Sequence, residues 1–193
     1  SNKDQIRSGD LSPLLWSPLP GTKKEGEAIS KLIGAKLLIN EKATSVAIQK
    51  EISPKVLHIA SHAYFLNDKK TEENPLLRSG IVLAGANHPD ANKYDDGYLT
   101  ALEVSQLDLN STELVVISAC DSGLGSFEFG NNLYGLKRSI YVAGAKSSFL
   151  SLWKVNDQAT AEFMKSFYLK LKNGEGRAEA LANTQKEFRN HPI

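Results

Sequence analysis

Two apolar runs, each ending in a reactive side chain, constrain this chain more than any other feature. Leu114-Val115-Val116-Ile117 leads through Ser118 and Ala119 to Cys120, the one cysteine among 193 residues, and the polar turn Asp121-Ser122-Gly123 follows at once. A continuous apolar run bounded by a turn reads as a central parallel strand buried on both faces. Val56-Leu57-His58-Ile59-Ala60-Ser61 is a second such strand, with His62 expected just past its end. In open α/β sheets, ligands and chemistry gather beyond the carboxyl ends of the strands. Taken alone, Cys120 reads as a small buried hydrophobe. A nucleophile and a base at two neighbouring strand ends is the arrangement that cysteine–histidine hydrolysis needs.

The remaining chain supplies the layers such strands require. Residues 1 to 21 hold Pro13, Pro18, Pro20 and Gly21 without usable periodicity and read as a connecting arm. Its Leu14, Leu15 and Trp16 call for cover against the body. From Lys23 to Ile33 the residues Ala28, Ile29, Leu32 and Ile33 recur at helical spacing, and Gly34 ends the run. Ala35 to Ile39 reads as a short strand, Thr44 to Ile52 as a helix, and Gly80 to Ala84 as a further strand. Polar loops are expected over Tyr64 to Leu77 and Gly85 to Gly97. Thr100-Ala101-Leu102-Glu103 is a capping box opening a helix. Leu133 to Val142 is an amphipathic helix whose Leu133, Leu136, Ile140 and Tyr141 face inward, with Gly144 as its cap. A strand over Ser147 to Trp153 precedes a helix capped by Asn156-Asp157, and a last helix runs from Glu175 to Arg189. Strands alternating with helices imply an α/β sandwich of three layers, α/β/α, around a mostly parallel sheet.

Composition narrows the partners. A formal net charge of +1 gives no electrostatic footprint for nucleic acid or an acidic membrane surface. No apolar run approaches the roughly 20 residues that span a bilayer. One cysteine excludes an internal disulfide and fits a reducing, cytoplasmic compartment. His58 and His62 lie four apart, but on a strand this separates them by about 13 Å, too far for one metal ion. His58 therefore reads as a core histidine, and no metal or cofactor is expected. Gly123-Leu124-Gly125 is followed by no Gly-Lys-Ser/Thr, which leaves a phosphate loop without its lysine.

Several stretches together resemble the CHAT family of caspase-like peptidases: Leu57-His58-Ile59-Ala60-Ser61-His62, then Ser118-Ala119-Cys120-Asp121-Ser122-Gly123-Leu124-Gly125. Leu19-Pro20-Gly21-Thr22, Asp96-Gly97-Tyr98-Leu99-Thr100, Tyr134-Gly135-Leu136, Ala143-Gly144-Ala145-Lys146-Ser147 and Ser151-Leu152-Trp153-Lys154-Val155-Asn156-Asp157 match in the same order. The resemblance implies a caspase-like sandwich over residues 22–193 after the arm of residues 1–21. It implies a cysteine endopeptidase with Cys120 as nucleophile, His62 as base, and the backbone N–H groups of Ala63 and Cys120 as the oxyanion hole. Ala63 stands where the family usually has glycine, and Asn156 where it often has aspartate. Family chains are typically bacterial and commonly join this domain to helical repeats such as TPRs, some in regulated proteolysis. Both ends look short against that pattern, so the chain is expected to be a fragment of a longer one.

A protein or peptide substrate would pair as an extended strand beside Ser151-Leu152-Trp153. Trp153 reads equally as a pocket wall or as core. Asp157 reads as a helix cap or as part of the pocket for the residue preceding the scissile bond (P1). If Asp157 or Asp121 lines that pocket, a basic P1 residue fits it better than an acidic one. The alternative is a catalytically silent module of the same fold that binds protein partners.

Overall fold

A computed structural model describes residues 15–66, 74–91, 94–121, 131–151 and 157–190. The chain divides into two units, one comprising residues 1–17 with 40–153, the other residues 18–39 with 154–193.

The first unit is built on a five-stranded mixed sheet of order β3-β2-β1-β4-β5. Its strands are β1 (Val56–Phe65), β2 (Ser79–Val82), β3 (Tyr98–Thr100), β4 (Leu114–Asp121) and β5 (Ser148–Ser151). The neighbours β1, β4 and β5 run parallel, whereas β2 and β3 add antiparallel on the far side of β1. The expected parallel core is thus present, with an antiparallel flank that the alternation of elements did not disclose. Strand β4 is buried along its apolar run, with Val116 fully covered. Its Val115, Ile117 and Ala119 share one core with Ile59 and Ala63 of β1. Val104 of α3 (Ala101–Val104) and Leu136 and Ile140 of α4 (Asn131–Val142) complete that core. Each such aliphatic side chain contributes roughly 2 kcal/mol through removal from water.

The short helices begin where the sequence provides caps. Thr100 and Glu103 form both halves of the capping box of α3. Thr44 caps α2 (Ser45–Gln49), whose part-buried Val46 N–H and Ser45 hydroxyl also bond the buried carboxylate of Asp95. In α4, Leu136 and Ile140 are inward as expected, but Tyr141 is about half exposed. Gly144 closes α4 at φ 105°, against the backbone of Asn110.

The second unit packs α1 (Pro20–Ile33) against α5 (Asp157–Lys172), and α5 against α6 (Arg177–Asn190). The buried stripe of α1 is Gly21, Glu25 and Ile29 rather than the wholly apolar stripe expected, and Ile33 faces outward. Burial and the nearby Glu25 carboxylate push the Tyr168 phenol far above its ordinary range. Ala35–Ile39 forms no strand. Gly34 ends α1 in the left-handed conformation, and both backbone groups of Ala35 bond Ser30. Leu37 then comes against Gly26 of the same helix, which satisfies the apolar run without a sheet.

Candidate active site

The carboxyl ends of β1 and β4 lie side by side, and the ladder pairs His62 with Cys120 directly. Adjacent strands are about 4.8 Å apart, and paired ladder positions share a sheet face. The two residues that the sequence nominates are therefore neighbours by register alone. The expectation that His62 lies beyond its strand is corrected. Strand β1 continues to Phe65 because β2 pairs with its last turn of chain, Ala63 with Ile81, Tyr64 with Gly80 and Phe65 with Ser79. Gly80 permits this: a Cβ there would lie 2.6 Å from the Leu99 carbonyl oxygen and 2.7 Å from the Tyr64 hydroxyl.

His62 is half-buried and its ring is held by a segment with no regular structure. Its Nε2 lies 2.8 Å from the carbonyl oxygen of Ser17. A carbonyl only accepts, so Nε2 carries the proton in this contact. In the neutral ring the lone pair is then on Nδ1, which is buried and has no hydrogen-bond partner among the described residues. The indole of Trp16 lies against the same imidazole, with centroids 5.3 Å apart and a 40° tilt between the rings. Trp16 is itself buried among Tyr64, Val82, Ala86 and Tyr98. The arm thus finds its cover through Trp16, while Leu15 remains 83% exposed and Leu14 lies outside the described residues.

The motif Asp96-Gly97-Tyr98-Leu99-Thr100 acquires a structural meaning here. Asp96 accepts from the Tyr98 N–H, and Thr100 caps α3. The phenol of Tyr98 accepts from the Trp16 indole N–H at 3.0 Å and donates to the Ala86 carbonyl at 3.3 Å. Desolvation holds its pKa above the ordinary tyrosine value, opposed by the Trp16 hydrogen bond and assisted by the Asp96 carboxylate. The hydroxyl is accordingly protonated at neutral pH and can serve both bonds.

The other nominated residues have definite backbone positions. Ala63 is buried in β1, opposite Ile81 and Asp121. Asp121 is the last residue of β4, and Asp157 is the first helical residue of α5. The side chains of Cys120, Asp121 and Asp157, and all of Trp153, lie outside the described residues. His58 occupies a strand position in β1, as the apolar run implied, but it is half-buried rather than the core histidine expected. No cluster of three or more metal-ligating side chains occurs among the described residues. Among those residues, no helix is long and apolar enough to cross a membrane.

Sequence reasoning expected cover for Trp16 but did not bring Trp16 or Ser17 to His62. The available signal was a tryptophan in a proline-rich arm that otherwise lacks pattern. Ser17 could not be found from its side chain, because it contributes only a backbone carbonyl.

The CHAT domain family matches residues 1–193. Among curated proteins, tetratricopeptide repeat protein 28 of Mus musculus is 25% identical over 204 residues, covering 94% of this chain and 8% of that protein. The protein of the same name from Homo sapiens is 24% identical over the same shares. The chain therefore spans about 8% of the length of these relatives. Both the match along the whole length and the α/β architecture lead to one assignment: the chain belongs to the family of CHAT domains and has a caspase-like α/β fold.

Proposed function

We propose that this domain is a cysteine endopeptidase acting on protein substrates through a dyad of Cys120 and His62. The observation that carries this reading is the pairing of the two residues across β1 and β4, with the imidazole bonded at Nε2 so that Nδ1 is left basic. The thiolate is the reactive form of cysteine, and an unassisted thiol is only partly ionised at neutral pH. His62 takes the thiol proton on Nδ1, and the sulfur attacks the scissile carbonyl carbon. The tetrahedral oxyanion is met by the backbone N–H groups of Cys120 and Ala63, each such donor worth about 3 kcal/mol in comparable hydrolases. Collapse breaks the C–N bond, and the protonated imidazole supplies the leaving amine with its proton. Water then attacks the thioester, giving its proton to His62, and the free acid and thiol are released.

Substrate pairs as a strand near β5, and Asp121, at the end of β4, favours a basic P1 residue. The relatives named for tetratricopeptide repeats support a setting in which such repeats, on the same or a partner chain, present substrates or control the site. A cytoplasmic location fits the single thiol. Those relatives are named for repeats, which supports one rival, a silent module that binds partners. A library of fluorogenic peptides with Lys, Arg, Asp or Leu at P1 separates them. Cleavage after Lys or Arg that disappears in Cys120→Ala supports the peptidase. No Cys120-dependent cleavage of any peptide or of denatured protein supports the module.

A further inference from the structure

Asn87 grips the backbone of the residue preceding Ser17 with both ends of its amide. The Trp16 N–H donates to Asn87 Oδ1 at 2.8 Å, and Asn87 Nδ2 donates to the Trp16 carbonyl at 3.0 Å. This is the pairing a neighbouring strand would offer, supplied here by one side chain. On the other side of Trp16 its indole N–H bonds Tyr98, whose hydroxyl returns to the carbonyl of Ala86, next to Asn87 in the chain. The four residues close a ring of contacts around one point on the arm. The segment carrying Asn87 is fixed in turn by the Leu83 N–H bonding the Gly97 carbonyl at 2.7 Å.

We propose that Asn87 and Tyr98 are positioning residues for His62, acting through Trp16 to hold the Ser17 carbonyl against Nε2. The proposal rests on the reading of His62 as the base of the dyad. The arm has no helix or sheet at Trp16 and Ser17 to place a carbonyl. The double grip on Trp16 sets the peptide that follows it, and hence the Ser17 acceptor. With the latch closed, the carbonyl selects the Nε2–H tautomer and the indole limits rotation of the imidazole. With the latch open, the ring loses its acceptor and its packing surface together, and Nδ1 is no longer held in one place. The reactivity of the thiol thereby depends on a turn asparagine that does not touch His62. The chemistry of the latch also explains why a tyrosine, rather than a phenylalanine, suits position 98: its hydroxyl is the acceptor for a buried indole N–H.

The test uses the 193-residue chain labelled with 15N-histidine, with variants Asn87→Ala, Tyr98→Phe and Leu15→Ala. Three quantities are read: the His62 side-chain 15N shifts, hydrogen exchange of the Trp16 indole N–H, and the rate of Cys120 alkylation across pH. In the parent chain His62 is expected as the Nε2–H tautomer. Asn87→Ala removes both bonds to the Trp16 backbone and should speed indole exchange by about tenfold or more, tenfold being the factor for one net hydrogen bond. It should also move the His62 nitrogens towards those of a free imidazole and slow alkylation by a similar factor. Tyr98→Phe should move all three in the same direction, and it decides the matter if Asn87→Ala does not fold. Leu15→Ala, an exposed position on the same arm, should match the parent. Faster indole exchange with unchanged His62 nitrogens in both variants overturns the proposal, as does no change in either quantity. If the nitrogens respond while parent Cys120 reacts like a free thiol, the latch stands and the peptidase reading falls.

Discussion

Gly97→Ala perturbs the fold and the candidate site at one point. Gly97 has φ +79°, where an L side chain costs about 1–2 kcal/mol. Its added Cβ would lie 2.0 Å from the Ala86 nitrogen and 2.5 Å from both Ala86 Cα and the Gly85 carbonyl carbon. Ordinary contacts begin at 3.4 Å, so the two backbones must part by about 1.4 Å (3.4 − 2.0). Forced overpacking of this kind adds about 1–3 kcal/mol. The sum is about 3 kcal/mol, equivalent to a fall in Tm of roughly 10 °C for a chain of this size. Gly174→Ala is the control. It has φ +93° with nothing within 4 Å of the added Cβ, and should therefore show only the conformational part. Thermal and urea unfolding of both variants measure the difference. Equal destabilisation by the two would refute the contact argument, because only Gly97 carries the clash.

Three further outcomes follow from burial, hydrogen bonding and charge. Ile117→Ala, in the fully covered run of β4, should destabilise by about 3 kcal/mol, whereas Ile52→Ala, 78% exposed, should change stability by no more than about 0.5 kcal/mol in urea unfolding. Asp95→Ala should cost about 2–3 kcal/mol in the same assay, because the Ser45 hydroxyl and the N–H groups of Val46 and Gly97 lose one shared, buried acceptor. The Asp108 carboxyl is held below its ordinary 3.8, chiefly by the Ser53 hydroxyl and then by Asn110. A folded pKa below the unfolded one gives stability that is present above 3.8 and is lost as pH falls through the folded value. The stability gap between the parent chain and Ser53→Ala should therefore be constant near neutrality and shrink in acid. A gap that widens below pH 3.8 would contradict that assignment.

The strands of the sheet that bear chemistry were legible because their signals are continuous. An apolar run such as Leu114–Ile117 reports burial on both faces at every position. The helices α1, α4, α5 and α6 were legible through periodicity and their glycine or capping boundaries. What escaped depended on contacts distant in sequence. Strand β3 is three residues long, too short for an alternation to register, and its pairing with β2 exists only in the fold. The end of β1 was misplaced because β2, not any breaker after His62, determines how far pairing continues. The strand expected at Ala35–Ile39 had the right composition, yet the cap at Gly34 and the contact of Leu37 with Gly26 drew it onto α1. At the candidate site, the residue types Cys120 and His62 were readable from sequence. The Ser17 carbonyl was not, since any residue can supply one.

The most direct measurement is the second-order rate of Cys120 alkylation by a small iodoacetamide across pH, in the parent chain and in His62→Ala. A dyad predicts rapid, His62-dependent labelling with substantial reactivity well below pH 8, where a free thiol is mostly protonated. It also predicts loss of that acid-side reactivity in His62→Ala. Identical profiles for the two proteins, both rising only as an ordinary thiol ionises, would contradict a Cys120–His62 dyad and leave the domain as a binding module.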